Sequence, residues 1–322
     1  MLNEYSIDLH MHSELSDGKE SPVQVIDMAA ETGLKKIVLC DHNALHPSFE
    51  KLQKYGASRG VELPFMGCEV TTVYYRDRFP LAVFHMLVYG EEKNINVPEF
   101  KEAVGHYDDR FNKAALRNLR RLIAAGAPVT FDDAFIFDRD IAPMEKSAKY
   151  SDDRIIKCVA EKQGISIDEA KEKYADCLEE YVYGNRGWMT QLGVMPDAAE
   201  LVRLARRLGL VTVIAHPTWI DGAFYDEAYD PNDEMKMEII RDLRRYGLDG
   251  IETCHQQVES EARAKYEALA AELGMITTGG SDYHAEADYG QYVTEYGVTE
   301  EGFEKLARLV KERSNDIRIR RM

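Results

Sequence analysis

The chain has 322 residues, 30% of them charged, and a formal net charge of −17. That length suits one large α/β domain or a domain carrying a substantial insertion. So acidic a chain is not built for a broad grip on long nucleic acid or on an anionic membrane, because both rest on clustered Lys and Arg; a small anionic substrate held by local metals is compatible with it.

The five cysteines, Cys40, Cys68, Cys158, Cys177 and Cys254, are scattered with no CxxC spacing. An odd count without an export signal reads as reduced thiols and points to the cytoplasm. The N-terminus enters a strand with no basic region leading into an apolar core, and no later stretch offers about 18 uncharged apolar residues. Neither secretion nor a membrane span is expected.

The first strand runs into "IDLHMHSELSDGKESP", residues 7–22. Alternate side chains of a strand share a face, so Asp8, His10 and His12 point the same way. Ser21 as N-cap and Pro22 at the first helical position open a helix that ends near Gly33, and an apolar run through Ile37 to Cys40 makes a second strand. A helix over 47–59 and strands over 61–70 and 81–89 follow. Strands alternating with helices imply mainly parallel pairing with both sheet faces buried. From about 91 to 190 the sequence turns charged and amphipathic, which reads as an inserted helical domain between two parts of a barrel, 1–90 and 191–322. Within the insert a long helix ends at Gly126, and Ser166 with Glu169 has the spacing of a capping box. The barrel rhythm then resumes with helices over 197–208, 233–246, 259–273 and 300–313, separated by the strands "VTVIAH", "GLDGIETCH" and "MITTGGSDYH".

Histidine and carboxylate residues fall at the ends of these strands. His10 and His12 close the first, Asp41 and His42 the second and Glu69 the third. His85 lies in the fourth, His216 ends the next, His255 follows, and Asp282 and His284 close the last. In a parallel α/β barrel that edge gathers side chains from separate strands into one site. A lone histidine is more often a satisfied packing residue, but so many on strand ends make a pattern. Imidazole plus carboxylate without clustered cysteine suits zinc, manganese or iron, and the excess of ligands over four implies more than one ion. No GxSxG elbow, GxGxxG or GxxxxGK[ST] framework is present, so serine-nucleophile, Rossmann and P-loop readings fail.

The segments "DLHMHSELSDG", "LCDHN", "GCEV", "FHMLVYG", "AHP" and "GSDYH", in that order, resemble the successive motifs of the PHP (polymerase and histidinol phosphatase) superfamily. The resemblance implies an α/β fold, a distorted (β/α)7 TIM-like barrel with an inserted helical cap, and two to three divalent ions of manganese, iron or zinc in a trinuclear centre. It implies that His10, His12, Glu69 and Asp282 bind a first metal, that Glu69 bridges to a second held by His85 and His216, and that Asp17, His42 and His284 take a third. Asp17 stands where many relatives have histidine, and its added charge favours iron or manganese over zinc. Asp8 and Asp41 read as orienters of ligating imidazoles, although Asp41 could instead cap the following helix. His255 is not among the usual ligands; an extra ligand, an orienting group and a proton donor all remain open for it.

A cap with an Arg-rich helix is similar to the subfamily that hydrolyses small nucleotides such as 3',5'-bisphosphates or short oligonucleotide ends. The expected activity is hydrolysis of a phosphate monoester or terminal phosphodiester by metal-activated hydroxide, with His255 and Asp17 as catalytic candidates. Arg117, Arg121, Arg154 and Arg186 are the candidates for a second phosphate, and Trp188 and Tyr183 could stack on a base. The rival readings are a histidinol-phosphate phosphatase, a metal-dependent amidohydrolase and a noncatalytic metal-stabilised module. Phosphate release from model substrates separates phosphoesterase action from the amidohydrolase reading, and a metal-loaded protein inert towards all phosphoesters would favour the noncatalytic module.

Overall fold

The computed structural model describes residues 5–76, 79–134, 152–178, 195–222, 231–285 and 293–320. Two compact units divide the chain, Met1–Val104 with Met195–Met322, and Gly105–Val194.

The first unit opens with β1 (Ile7–Met11), buried at every residue because both its faces are covered. Helix α1 (Pro22–Thr32) starts where the sequence places it. Ser21 Oγ accepts the Gln24 N–H, Gln24 Oε1 accepts the Ser21 N–H, and the helix ends at Gly33 in the left-handed region. It returns the chain to β2 (Lys36–Leu39), parallel to β1. Next come α2 (Phe49–Arg59), β3 (Met66–Arg76), β4 (Phe79–Gly90), the short α3 (Glu92–Ile95) and the start of α4 (Pro98–Ala124). The second unit holds α5 (Phe131–Ala134), α6 (Asp152–Gln163) and α7 (Ile167–Lys173), the last opened by the Ser166–Glu169 capping box. Its own core includes Leu119, Leu122, Ile155, Ile156 and Val159. The first unit resumes with α8 (Ala198–Leu208), β5 (Val211–Ile214), the two-residue β6 (Asp221–Gly222), α9 (Asp233–Tyr246), β7 (Gly250–Cys254), α10 (Ser260–Leu273), β8 (Ile276–Gly279) and α11 (Glu300–Arg320).

The pairing departs from the expected parallel rhythm. β3 and β4 form an antiparallel hairpin from Met66↔Gly90 to Arg76↔Phe79, and β4 also runs antiparallel to β5. A parallel pair needs a crossover of a dozen or more residues, and only two residues separate β3 from β4. Beyond β5 the pairing is parallel, β5 to β7 to β8. The third strand is also displaced. It begins after Pro64, which has no N–H for a ladder, and continues past Glu69 to Arg76, where the hairpin supplies partners. Glu69 therefore lies within its strand rather than closing it. Among the described residues the strands make a two-stranded and a six-stranded sheet, not one closed barrel. Single bridges, His42 with Glu69 and Met11 with Tyr283, lie between them.

Ile7, Leu9, Val38, Leu87, Val213 and Leu306 are buried in one cluster, each worth roughly 1.5–3 kcal/mol against exposure. This core holds the strands so that the polar residues at their ends converge. Gly280 fixes the last approach, since a Cβ there would lie 2.4 Å from His10 Cβ and 2.6 Å from its backbone nitrogen. Gly280→Ala is expected to destabilise the protein by about 1–3 kcal/mol, as an overpacked core does; a urea unfolding midpoint unchanged from that of the unsubstituted protein would contradict this.

Candidate metal centre

Most of the residues involved follow a strand closely and are held by backbone bonds there. His10 lies in β1 and His12 one residue beyond it, where its N–H bonds to Tyr283 O and Asp282 N–H bonds to His10 O. His42 follows β2, and the next residue, Asn43, ties that end to β3: its N–H bonds to Glu69 O and its side chain pairs with Thr71. His85 lies within β4, opposite Thr71 and so diagonal to Glu69. Asp17 returns from the loop after β1 because Gly18 packs on His12; a Cβ at Gly18 would sit 2.8 Å from the His12 carbonyl. Asn43, His216 and Asp282 adopt positive φ without being glycine, and such backbone strain gathers at functional sites.

Glu69, buried at the centre, divides its two oxygens. Oε2 lies 3.3 Å from His10 Nε2, 3.2 Å from His12 Nε2 and 3.3 Å from His42 Nδ1. Oε1 lies 3.1 Å from His85 Nδ1 and 3.0 Å from His216 Nε2. Asp282 Oδ1 faces the same pair of imidazoles as Oε2, at 3.1 Å from His12 Nε2 and 3.4 Å from His10 Nε2. Asp17 forms a further focus, with Oδ2 3.4 Å from His42 Nε2 and Oδ1 3.3 Å from His284 Nε2 and 3.6 Å from His12 Nδ1. The structure thus brings His10, His12, Asp17, His42, Glu69, His85, His216, Asp282 and His284 together.

These contacts overlap in the way that shared ligands do. Ligand atoms of His10, His12, Glu69 and Asp282 lie within 4.8 Å of one another, as do those of His12, Asp17, His42 and His284, and those of His42, Glu69 and His85. The residues fit divalent ions on independent grounds. Asp17 Oδ1, His42 Nδ1, Glu69 Oε2 and His216 Nδ1 are buried with no hydrogen-bond partner, a costly arrangement unless something else binds them. His10 Nε2 and His12 Nε2 stand 3.1 Å apart, both aimed at the same carboxylates.

The remaining ring nitrogens are anchored. His10 Nδ1 donates to Glu252 Oε1 at 3.0 Å. His12 Nδ1 donates to Ser16 Oγ at 3.4 Å, and Ser16 donates on to Asp41 Oδ1 at 2.8 Å. His284 Nδ1 donates to Asp282 O at 2.7 Å. Such bonds fix the tautomer and leave Nε2 as the ligating atom. Asp41 therefore acts on His12 through Ser16. Asp8 Oδ1 accepts the backbone N–H groups of His10 and Ser281. Glu252 went unnoticed in the sequence. It is fully buried in β7, holds His10 and also accepts the His216 N–H at 2.9 Å. A glutamate in the middle of the buried run "GIETC" was the signal, since charged residues are almost never fully buried unless paired.

Of the other candidates, Arg117 and Arg121 lie on α4 in the second unit. The side chain of Arg154, and all of Arg186, Trp188 and Tyr183, lie outside what the structure describes.

Burial opposes charge at His10, His12, Asp17, Glu69, Asp282 and His284, yet opposite neighbours outweigh it there. His12 is pushed up to about 10, against burial, by hydrogen bonds to Asp282 and Glu69 and by the charge of Asp17. Burial would raise Glu69, Asp17 and Asp282, but the facing imidazoles hold all three well below the ordinary carboxylate range. His42 goes the other way, pushed down to about 3 by burial. A metal bound at His12 must displace its proton. His12 binds that proton more tightly folded than unfolded, so it stabilises the metal-free protein fully below its ordinary pKa of 6.5, and this contribution is lost as pH rises through about 10. Metal affinity is expected to change in the opposite sense, rising with pH over that window, and metal added at pH 8 should release protons into weak buffer. No proton release would contradict the assignment of His12 as a ligand.

Among the described residues no helix is long and apolar enough to cross a membrane. The chain is 27% identical over 284 residues to a phosphoribosyl 1,2-cyclic phosphate 1,2-diphosphodiesterase of Eggerthella lenta, covering 87% of this chain and 94% of the relative. It is 26% identical over 294 residues to a 3',5'-nucleoside bisphosphate phosphatase of Chromobacterium violaceum, covering 89% of this chain and 90% of that one. A solved structure from Bifidobacterium adolescentis, assigned to the metal-dependent phosphoesterases, superposes with a TM-score of 0.64 at 19% identity, covering 94% and 96% of the two chains. The fold is thus mixed α/β of that phosphoesterase type. The PHP domain model matches residues 8–186, more than half the chain and the part that holds His10, His12, Asp17, His42, Glu69 and His85, and by that match the chain belongs to the PHP domain family.

Proposed function

We propose that the protein is a metal-dependent phosphoesterase that hydrolyses a phosphate monoester or terminal phosphodiester of a small nucleotide-like substrate. The division of Glu69's oxygens between two sets of imidazoles carries this reading, because it is the geometry of a carboxylate bridging two cations. The family match and the relatives named for phosphoester hydrolysis supply the reaction class. Two to three divalent ions are proposed, of manganese, iron or zinc, with His10, His12, Glu69 and Asp282 around the first, Glu69, His85 and His216 around the second, and Asp17, His42 and His284 around the third. The two sheets are proposed to be arcs of one distorted (β/α)7 barrel, and the helical insert its cap, from which Arg117 and Arg121 are the proposed anion-binding side chains.

Divalent ions held there supply a nucleophile from water near neutral pH and neutralise phosphoryl charge. The chain's own part begins with access. Asp17, His42 and His85 keep 30%, 21% and 23% of their side-chain surface, whereas His10, His12 and Glu69 keep almost none. Substrate therefore meets the edge formed by Asp17, His42 and His85. Asp17, the catalytic candidate at that edge, orients His42 and His284 through separate oxygens. Glu69, Asp282, Glu252 and Asp17 together would repel a phosphate dianion, so an anionic substrate requires the cations.

The test is phosphate release from adenosine 3',5'-bisphosphate and histidinol phosphate, and ring opening of a pentose 1,2-cyclic phosphate to its monoester, side by side with the metal-loaded protein. Preferential turnover of a nucleotide-like substrate is expected. Preference for histidinol phosphate would move the substrate assignment, and hydrolysis of amides with no phosphoester turnover would overturn the reaction class.

A further inference from the structure

His255 follows β7 with its side chain fully buried. Its Nδ1 accepts the Gln257 N–H at 3.1 Å, within a turn that the Val258 N–H closes on His255 O at 3.0 Å. A ring nitrogen that accepts an N–H carries no proton, so the neutral imidazole keeps its one proton on Nε2. This is the reverse of His10, His12 and His284, whose Nδ1 atoms donate and leave Nε2 with a lone pair. Nε2 of His255 is buried without a formed hydrogen bond, and the carboxylate oxygen it faces is Asp282 Oδ2 at 3.5 Å. Asp282 is thereby divided as Glu69 is: Oδ1 toward His12 and His10, Oδ2 toward His255.

We propose that His255 is not a metal ligand but a positioning residue, a fixed Nε2–H donor that occupies Asp282 Oδ2 and leaves Oδ1 as the single oxygen for the ion shared with His10 and His12. This rests on the proposed metal centre. It also decides the status of a further cluster. Ligand atoms of His10, Glu252 and His255 lie within 4.8 Å of one another, but they do not hold an additional ion. His10 Nδ1 is used on Glu252, the Glu252 oxygens accept from His10 Nδ1 and the His216 N–H, and His255 Nε2 bears a proton. His10 Nδ1 and His255 Nε2 carry protons and His255 Nδ1 is used on the Gln257 N–H, so neither imidazole offers this cluster a lone pair for a cation.

The experiment uses His255→Ala and His255→Gln in the full chain, the glutamine offering a side-chain N–H in place of the imidazole's. Zinc content per chain at saturation, zinc affinity by competition with a chelator, and the long-range 1H–15N spectrum of the zinc-loaded unsubstituted protein are measured. The expected result is the same zinc content in all three proteins, with affinity of one ion lowered by about 10–100-fold in His255→Ala and largely restored in His255→Gln. The spectrum should show His255 protonated at Nε2. Loss of one zinc per chain in both variants, a proton on Nδ1, or an unchanged affinity in His255→Ala would each overturn the proposal. None of these readouts needs turnover, so they stand apart from the substrate test. If no phosphoester were hydrolysed, the metal counts and the tautomer would still decide the role of His255.

Discussion

Glu69→Gln is expected to remove phosphoesterase activity by more than the roughly 10–100-fold that loss of an outer hydrogen-bond partner costs. Five imidazoles face this one carboxylate, those of His10, His12 and His42 on Oε2 and those of His85 and His216 on Oε1. An amide keeps the volume but replaces one oxygen with an N–H pair that repels a cation, so one shared site loses its ligand and the other keeps only a neutral amide oxygen in place of a carboxylate. Metal content at saturation should fall together with kcat. The metal-free protein should suffer as well, because its charged imidazoles lose the carboxylate that offsets them. Activity and metal content both equal to those of the unsubstituted protein would remove Glu69 from the centre.

The second large effect is expected at Glu252. Glu252→Ala leaves the His10 Nδ1–H and the His216 N–H without acceptors in a fully buried place. Breaking a buried charged pair by removing one partner costs about 3–5 kcal/mol, which urea unfolding of the metal-free protein would register. Histidine 216 is the more exposed to this loss in a mechanical sense, since its backbone holds a φ of 22° and the bond to Glu252 is one of the restraints keeping it there. Metal affinity should fall by about 10–100-fold through misplacement of both rings. Unchanged stability would show that Glu252 is ordinary filling rather than a tie between β1, β5 and β7.

Much of the site was legible because its residue types are costly to bury without purpose. Alternation in the first strand put His10 and His12 on one face, and the end-of-strand rule gathered His42, His216 and Asp282, which the structure places around Glu69, and His284, which it places beside Asp17. Glu252 escaped because it sits inside a short apolar run with no neighbouring histidine spacing, and only its burial and its two bonds reveal what it does. The fold was legible in its elements more than in its directions. Capping signals located α1 and α7, and α9 spans the expected 233–246. An apolar run reports that a strand is buried but not which way its neighbour runs, so the β3–β4 hairpin was misread as part of a parallel series. Even the ten residues between the expected strands 61–70 and 81–89 are fewer than the dozen or so that a parallel crossover needs. The tautomer of His255 could not be read from sequence at all, because it depends on one backbone N–H two residues on.

The most direct test of the account is a chelation and reloading cycle on one sample. Phosphate release from adenosine 3',5'-bisphosphate is measured for the protein as purified with manganese, after EDTA and gel filtration, and after manganese is restored, with metal per chain determined at each stage. The account predicts more than one ion per chain at the start, loss of metal and turnover together, and recovery of both. Turnover that survives complete removal of metal would contradict it.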